Sequence, residues 1–159
     1  MKKYSPLPQF LPRLLPLLAI LAVFVATPYF SATGALAGGK AHKVAIHVDE
    51  NDKMRMNMAL NNAQNLNKYY QAKGEKVDIE IVAYGPGLHM LRADTAPVKS
   101  RIAAMSLEMD NIQFSACGNT HKKMSKKKKV TLVSEATLVP SGVIRLMELQ
   151  EKGRSYIRP

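Results

Sequence analysis

Apolar residues in this chain recur with two different periods. The β-branched run at 44–48 predicts a strand, and apolar residues spaced three and four apart over 54–73 predict a helix that stops at Gly74. Residues 77–84 predict a second strand, because their apolar side chains fall on one face, and this strand ends at a turn over 85–87. Strands that alternate with helices are typical of a parallel sheet covered by helices.

The carboxyl half of the chain continues this alternation. Pro97 is predicted to lie in the first turn of a helix whose apolar stripe runs from Val98 to Met109. The remaining predicted elements are a strand at 112–116, a short helix at 119–125, a strand within 131–139 that ends near Val139, a helix at 143–150 closing at Gly153, and a short strand at 156–157. We therefore expect five strands and four helices.

The first 37 residues differ in composition from the rest of the chain. A positively charged start precedes an apolar stretch at 14–26, and small residues at 35–37 form a cleavage motif. We expect residues 1–37 to be a secretory signal peptide and residues 38–159 to form a single mature domain. An uncleaved membrane anchor is the less favoured alternative, because the apolar stretch is interrupted by Pro16 and falls short of the roughly 20 residues that span a bilayer.

Charge and cysteine content restrict the function further. The signal segment holds three of the 23 basic residues and no acidic ones, so the mature chain keeps 20 against 12, a net charge of +8. Such a surplus attracts anions, lipid headgroups or nucleic acid. We expect a periplasmic or secreted protein, which argues against nucleic acid as a partner and against membrane attachment after cleavage. The single cysteine, Cys117, is then buried and inert, paired between chains, or a reactive thiol.

Cys117 stands between the third predicted strand and a short helix. Open α/β sheets bind ligands at the carboxyl ends of their strands, and a helix N-terminus favours a thiolate. Gly118 would let a substrate approach the backbone, and the amides of Asn119 and Thr120 would stabilise an anionic sulfur. His121 would assist if this segment is helical. The alternative is that Cys117 is simply a small buried apolar residue.

Two neighbouring features add to this candidate site. Tyr84 and Gly85 end the second predicted strand at the same sheet edge, so they are expected to line the same cleft, unless the segment is an ordinary tight turn. Six lysines, at 122, 123 and 126–129, form a dense positive tract beside Cys117. This tract would steer a small anionic sulfur species such as thiosulfate or polysulfide, or form only a solvated loop.

Other chemistries receive little support from the residues. Cys117 and His121 have the spacing of metal ligands, yet no second cysteine and no paired histidines accompany them, so no metal site is expected. Acyl transfer by a Cys–His pair would also require an orienting carboxylate and an oxyanion hole, which a sequence cannot reveal. We expect no cofactor.

Five short blocks, taken in order, carry a resemblance to a known family. They are HVDEND at 47–52, MALNNA at 58–63, VAYGPG at 82–87, ACGNT at 116–120 and VPSGV at 139–143. In this combination the chain resembles the DsrE/DsrF-like family over nearly all of its mature length. The resemblance implies a three-layer α/β fold related to flavodoxin, with a mainly parallel five-stranded sheet, helices on both faces, and assembly into trimers or hexamers.

The resemblance also implies a chemistry. The best understood members are cytoplasmic sulfur-relay proteins, in which the matching cysteine accepts and passes on sulfur as a persulfide. By resemblance, Cys117 would be the sulfur carrier, and its partner would be a sulfur-donor protein or a small anionic sulfur species. Because this chain is expected to be exported, two hypotheses remain. One is a periplasmic sulfur-handling protein, and the other is a non-catalytic, oligomeric α/β binding or redox-sensing module whose cysteine is structural.

Overall fold

A single five-stranded sheet organises the chain. The computed structural model describes residues 41–159, so the predicted signal segment at 1–37 lies outside the described residues. The strands are β1 (Ala41–Val48), β2 (Lys76–Ala83), β3 (Ile112–Cys117), β4 (Ala136–Val139) and β5 (Ser155–Ile157). All neighbouring strands pair in parallel, in the order β4-β3-β2-β1-β5. The predicted α/β fold with a five-stranded sheet is confirmed.

Helices connect the strands. They are α1 (Lys53–Ala72), a 3-10 helix (Gly85–Leu91), α2 (Lys99–Glu108), α3 (Gly118–Met124) and α4 (Gly142–Glu151). In residues 41–159 no helix is both long and apolar enough to cross a bilayer.

Two local predictions were wrong. The turn expected at 85–87 continues as the 3-10 helix, because Pro86 occupies its first turn, where no amide proton is needed. Pro97 lies before α2 rather than in its first turn, because the chain first makes a turn closed by the Lys99 amide on the Ala96 carbonyl, and Val98 is the N-cap.

The strand order explains why helices cover both faces. The chain steps from β1 to β4 in one direction and then returns past β1 to β5. Because crossovers between parallel strands are right-handed, the reversed step places α4 on the face opposite to the other helices. The main apolar core includes Ile46, Ile79 and Phe114 beneath α1 and α2. A smaller cluster beneath α4 contains the strand residues Ala45 and Val82.

A buried ion pair attaches α4 to its face of the sheet. Glu80 of β2 is fully buried, and its carboxylate accepts hydrogen bonds of 2.7 and 2.8 Å from Arg145 of α4. The Ser115 hydroxyl donates a third, at 2.6 Å. Burial raises the pKa of the Glu80 carboxyl, but the hydrogen bonds from Arg145 and Ser115 outweigh it and hold that pKa below its ordinary value. The pair therefore fixes the position of α4 over the centre of the sheet.

Candidate functional site

Two helix N-termini meet at the carboxyl edge of the sheet, next to Cys117. Cys117 is the last residue of β3 and pairs with Val139, the last residue of β4. The helix α3 begins at the following residue, Gly118, and α4 begins at Gly142, three residues after β4 ends. Cys117 therefore lies at the predicted edge of the sheet. The helix α4 was also predicted, but the sequence did not indicate that its N-terminus lies beside Cys117.

The surroundings of the Cys117 thiol are polar. The residue is only 5% exposed, yet it belongs to neither apolar cluster of the described residues. Burial is the largest influence and raises the pKa of the thiol. Hydrogen bonds from the hydroxyl and amide of Thr120 and from the amides of Gly142 and Asn119 act in the opposite sense, and together they hold the pKa below its ordinary value.

Thr120 links the thiol to the turn that follows β2. Its hydroxyl oxygen accepts a 3.0 Å hydrogen bond from the Gly85 amide. Burial raises the pKa of the Cys117 thiol, and the Thr120 hydroxyl is the foremost of the groups that lower it. The amide of Gly85 thus orients the hydroxyl that stabilises the thiolate, which brings two predicted site residues into direct contact.

Close backbone packing accounts for both glycines at the helix starts. A Cβ on Gly118 would lie 2.9 Å from the Val139 carbonyl oxygen, and a Cβ on Gly142 would lie 2.8 Å from the Tyr84 Cβ. Both distances are shorter than a Cβ atom tolerates. Glycine is therefore required at each position for the neighbouring segment to pack this closely. This gives Gly118 a structural reason that is independent of any substrate.

Tyr84 forms the wall of the site on the α4 side. It follows β2, and its ring packs on Gly142 and stacks on the His47 imidazole, with ring centroids 4.4 Å apart. Burial and the nearby Asp49 carboxylate raise the pKa of Tyr84. His47 is itself buried and forms a 2.8 Å hydrogen bond between Nδ1 and the Tyr156 hydroxyl. Tyr84 therefore reaches the site through its packing rather than through a hydrogen bond to sulfur.

Two other predicted residues have divided roles. The amide of Asn119 also donates to the Pro140 carbonyl at 3.3 Å, so only part of its hydrogen bonding goes to the thiol. His121 lies in α3 as expected, but its Nε2 donates to the Val130 carbonyl at 2.8 Å. His121 thus holds the end of the lysine-rich loop, residues 125–130, against α3 instead of contacting the sulfur.

A cleft of about 690 Å³ is lined in part by Thr120, three residues after Cys117. Thr120 and Gly85 belong to its lining, which ties the cleft to the cysteine through the hydrogen bonds described above. Its other lining residues include two polar side chains, Asn51 and His89, and two apolar ones, Pro86 and Met124. The remaining three are the cationic residues Lys123, Lys126 and Lys127. The described part of the chain contributes no acidic side chain to this lining. We call this space the lysine cleft.

Cys117 and His121 have the sequence spacing of metal ligands. Within residues 41–159, no three side chains of the His, Cys, Asp and Glu types lie close enough together to hold a metal ion.

The comparisons with known proteins agree with the fold. No curated protein matches the chain. Among solved structures, the chain is similar to the protein of unknown function MTH1491 from Methanobacterium thermoautotrophicum, at 32% identity and a TM-score of 0.61, over 74% of this chain and 99% of that one. The DsrE/DsrF-like family model matches residues 42–159. Because that match covers well over half of its length, the chain belongs to the DsrE/DsrF-like family.

Proposed function

We propose that this protein handles sulfane sulfur and carries it as a persulfide on Cys117. Membership of the DsrE/DsrF-like family suggests a sulfur-relay-related role. The observation that carries the proposal is the convergence on one sulfur atom of the Thr120 hydroxyl and the amides of two helix starts, which lowers the pKa of the thiol despite its burial. A structural cysteine in an apolar core needs no such donors.

The transfer step follows from thiolate chemistry. The Cys117 thiolate attacks the outer sulfur of a donor persulfide, R–S–SH, and a new S–S bond forms. The donor's own S–S bond breaks, and its electron pair leaves with the thiolate R–S⁻, so Cys117 becomes Cys–S–SH without net oxidation. An acceptor thiolate then attacks the outer sulfur and releases the Cys117 thiolate. The donors from Thr120 and Gly142 stabilise the anionic sulfur before the first step and after the second.

The proposal includes a cellular setting and partners. Residues 1–37 act as a secretory signal peptide, and the mature domain works in the periplasm or outside the cell. It assembles as a trimer or hexamer. Val143, Ile144 and Met147 of α4 are each more than half exposed, and these apolar side chains support association with other copies of the chain. A sulfur-donor protein or a small anionic sulfur species supplies the sulfur.

Mass spectrometry tests the carrier role directly. Mature protein incubated with inorganic polysulfide should gain the mass of one sulfur atom on Cys117, and dithiothreitol should remove it. Cys117→Ser should abolish the gain, whereas Thr120→Ser, which keeps the hydroxyl, should retain it. Absence of the added sulfur in a folded protein whose thiol is titratable would refute the proposal.

A second hypothesis is favoured by one observation, the 5% exposure of Cys117. Under it the protein is a non-catalytic, oligomeric binding or redox-sensing module, and the cysteine has a structural role. The native thiol should then resist alkylation by iodoacetamide, and Cys117→Ser should lower the stability of the assembly while changing no chemistry. Native mass spectrometry of the variant, combined with thermal unfolding, separates the two hypotheses.

A further inference from the structure

We propose that the lysine cleft binds the organic part of the sulfur donor, and that this donor is a low-molecular-weight persulfide that bears carboxylates. The inference rests on the proposed function of Cys117 and adds the class of its substrate. Three properties of the cleft carry it: its size, its charge and its connection to the thiol.

The size of the cleft favours an organic donor. Its volume of about 690 Å³ lies within the range of roughly 300–1,000 Å³ that is usual for small-molecule sites. An inorganic sulfur anion such as thiosulfate has only a few heavy atoms and would occupy the space of a few water molecules, each about 30 Å³. A molecule about as large as a tripeptide would fill more of the cleft volume.

The side chains that line the cleft favour a ligand that has anionic groups on a carbon skeleton. Lys123, Lys126 and Lys127 line the cleft, and none of its lining residues within 41–159 is acidic, so carboxylates on a ligand would find unneutralised ammonium groups. Pro86 and Met124 provide apolar surface for the carbon skeleton. A simple inorganic anion would use the charges but not the apolar surface.

Hydrogen bonds at its ends hold the lysine-rich loop in place. His121 donates to the Val130 carbonyl, and the Val130 amide donates to the Ser125 hydroxyl oxygen at 3.4 Å. The Lys126 amide donates to the Lys123 carbonyl at 3.4 Å. The lysines of the cleft therefore extend from a segment that is anchored to α3 rather than from a free tail.

The connection to the thiol sets the direction of the ligand. Thr120 and Gly85 both line the cleft and are joined by a hydrogen bond, and the Thr120 hydroxyl is the foremost group that acts against burial on the pKa of the Cys117 thiol, so the cleft and the nucleophile share Thr120. A donor whose carboxylates contact the lysines would direct its persulfide toward Thr120. Attack by Cys117 on the outer sulfur then leaves the donor's thiolate in the cleft, with the bonds exchanged as in the transfer step above.

A binding experiment on Cys117→Ser tests the cleft without sulfur chemistry. The probe is S-methylglutathione, which has two carboxylates and no reactive sulfur, titrated calorimetrically. We expect saturable binding, with a Kd that rises on the order of tenfold in Lys126→Ala/Lys127→Ala, as expected for the loss of two partly screened charge contacts.

The same lysine run provides the matched control. Lys128 and Lys129 do not line the cleft, and Lys128 lies within the electrostatic range of Asp94. Lys128→Ala/Lys129→Ala changes the net charge equally and should leave the Kd within about twofold, since it alters only long-range screening. Absence of saturable binding, or equal effects of the two double variants, would overturn the proposal.

A kinetic experiment then separates organic from inorganic donors. With Cys117 intact, Lys126→Ala/Lys127→Ala should slow sulfur transfer from glutathione persulfide several-fold and leave transfer from inorganic polysulfide nearly unchanged. Equal slowing with both donors would show that the lysines only attract anions, and would overturn the assignment. Binding of S-methylglutathione without transfer from any donor would instead refute the carrier function of Cys117, whereas transfer without binding would refute the cleft.

Discussion

Arg145 of α4 forms a bidentate ion pair with Glu80 in the middle of β2, and the Glu80 carboxylate is completely buried. Removal of one partner leaves a charge in the interior without compensation. Because the Arg145 side chain comes from the same helix whose first amide reaches Cys117, this contact fixes both the stability of the sheet face and the geometry of the site.

Arg145→Met should lower the free energy of unfolding by about 3–5 kcal/mol, since Glu80 would remain buried and unpaired. Chemical denaturation measures this. The double variant Glu80→Met/Arg145→Met should cost less than Arg145→Met alone, because it removes the charge as well as its partner. Glu148→Ala, which loses only a 3.5 Å contact at the surface, should change stability by less than about 0.5 kcal/mol. Equal losses in Arg145→Met and Glu148→Ala would contradict this account.

Stability should also depend on pH through Glu80. Its pKa is lowered in the folded protein, so its contribution is complete above the unfolded-state value of about 4.3 and is lost as pH falls through the lower folded value. Unfolding free energies measured from neutral pH downward should therefore fall less steeply below this value in Glu80→Gln than in the parent. An unchanged slope in the variant would show that other carboxyl groups dominate acid unfolding.

Thr120→Val should raise the pKa of the Cys117 thiol, because it removes the hydroxyl that stabilises the thiolate, and a hydrogen bond to a charged group is worth about 1.5–3 kcal/mol. The ultraviolet absorbance of the thiolate, followed against pH, measures the shift without requiring access of a reagent. Thr120→Ser keeps the hydroxyl and should titrate like the parent. If the valine variant also titrates like the parent, the hydroxyl does not stabilise the thiolate.

Gly142→Ala should destabilise the protein by about 1–3 kcal/mol, since the new Cβ would lie 2.8 Å from the Tyr84 Cβ and push α4 away. The same displacement should raise the pKa of the Cys117 thiol, because the Gly142 amide would move from the sulfur. Glu151→Ala, at the exposed last residue of α4, is the control for the extra helix propensity. A variant that keeps both the stability and the thiol pKa of the parent would show that the helix start tolerates a side chain.

The strands and the sheet edge that holds Cys117 were predictable from the sequence, because local patterns determine them. The main core face of each central strand is a run of alternating apolar residues, and Cys117 directly follows such a run. Thr120 was named for its amide, and the structure adds its hydroxyl, whose bond to Gly85 joins positions 35 residues apart. Short sequence segments were thus sufficient to predict the strands and the position of the site.

Contacts between distant segments were not readable in this way. Glu80 and Arg145 are 65 positions apart, and an acidic residue within a strand reads as a surface position until its partner is known. The role of Gly142 depends on the approach of Tyr84, and His121 faces Val130 because of the path of the loop. Each of these results from chain topology, which a single sequence leaves open.

The helix α4 has two separate roles in the structure. At its N-terminus, the Gly142 amide helps to lower the pKa of the Cys117 thiol. In the middle of the helix, Arg145 pairs with the buried carboxylate of Glu80. A change in the position of α4 therefore affects both the stability of the fold and the pKa of the Cys117 thiol. Substitutions that stabilise the protein by shifting this helix would therefore also change the pKa of the Cys117 thiol.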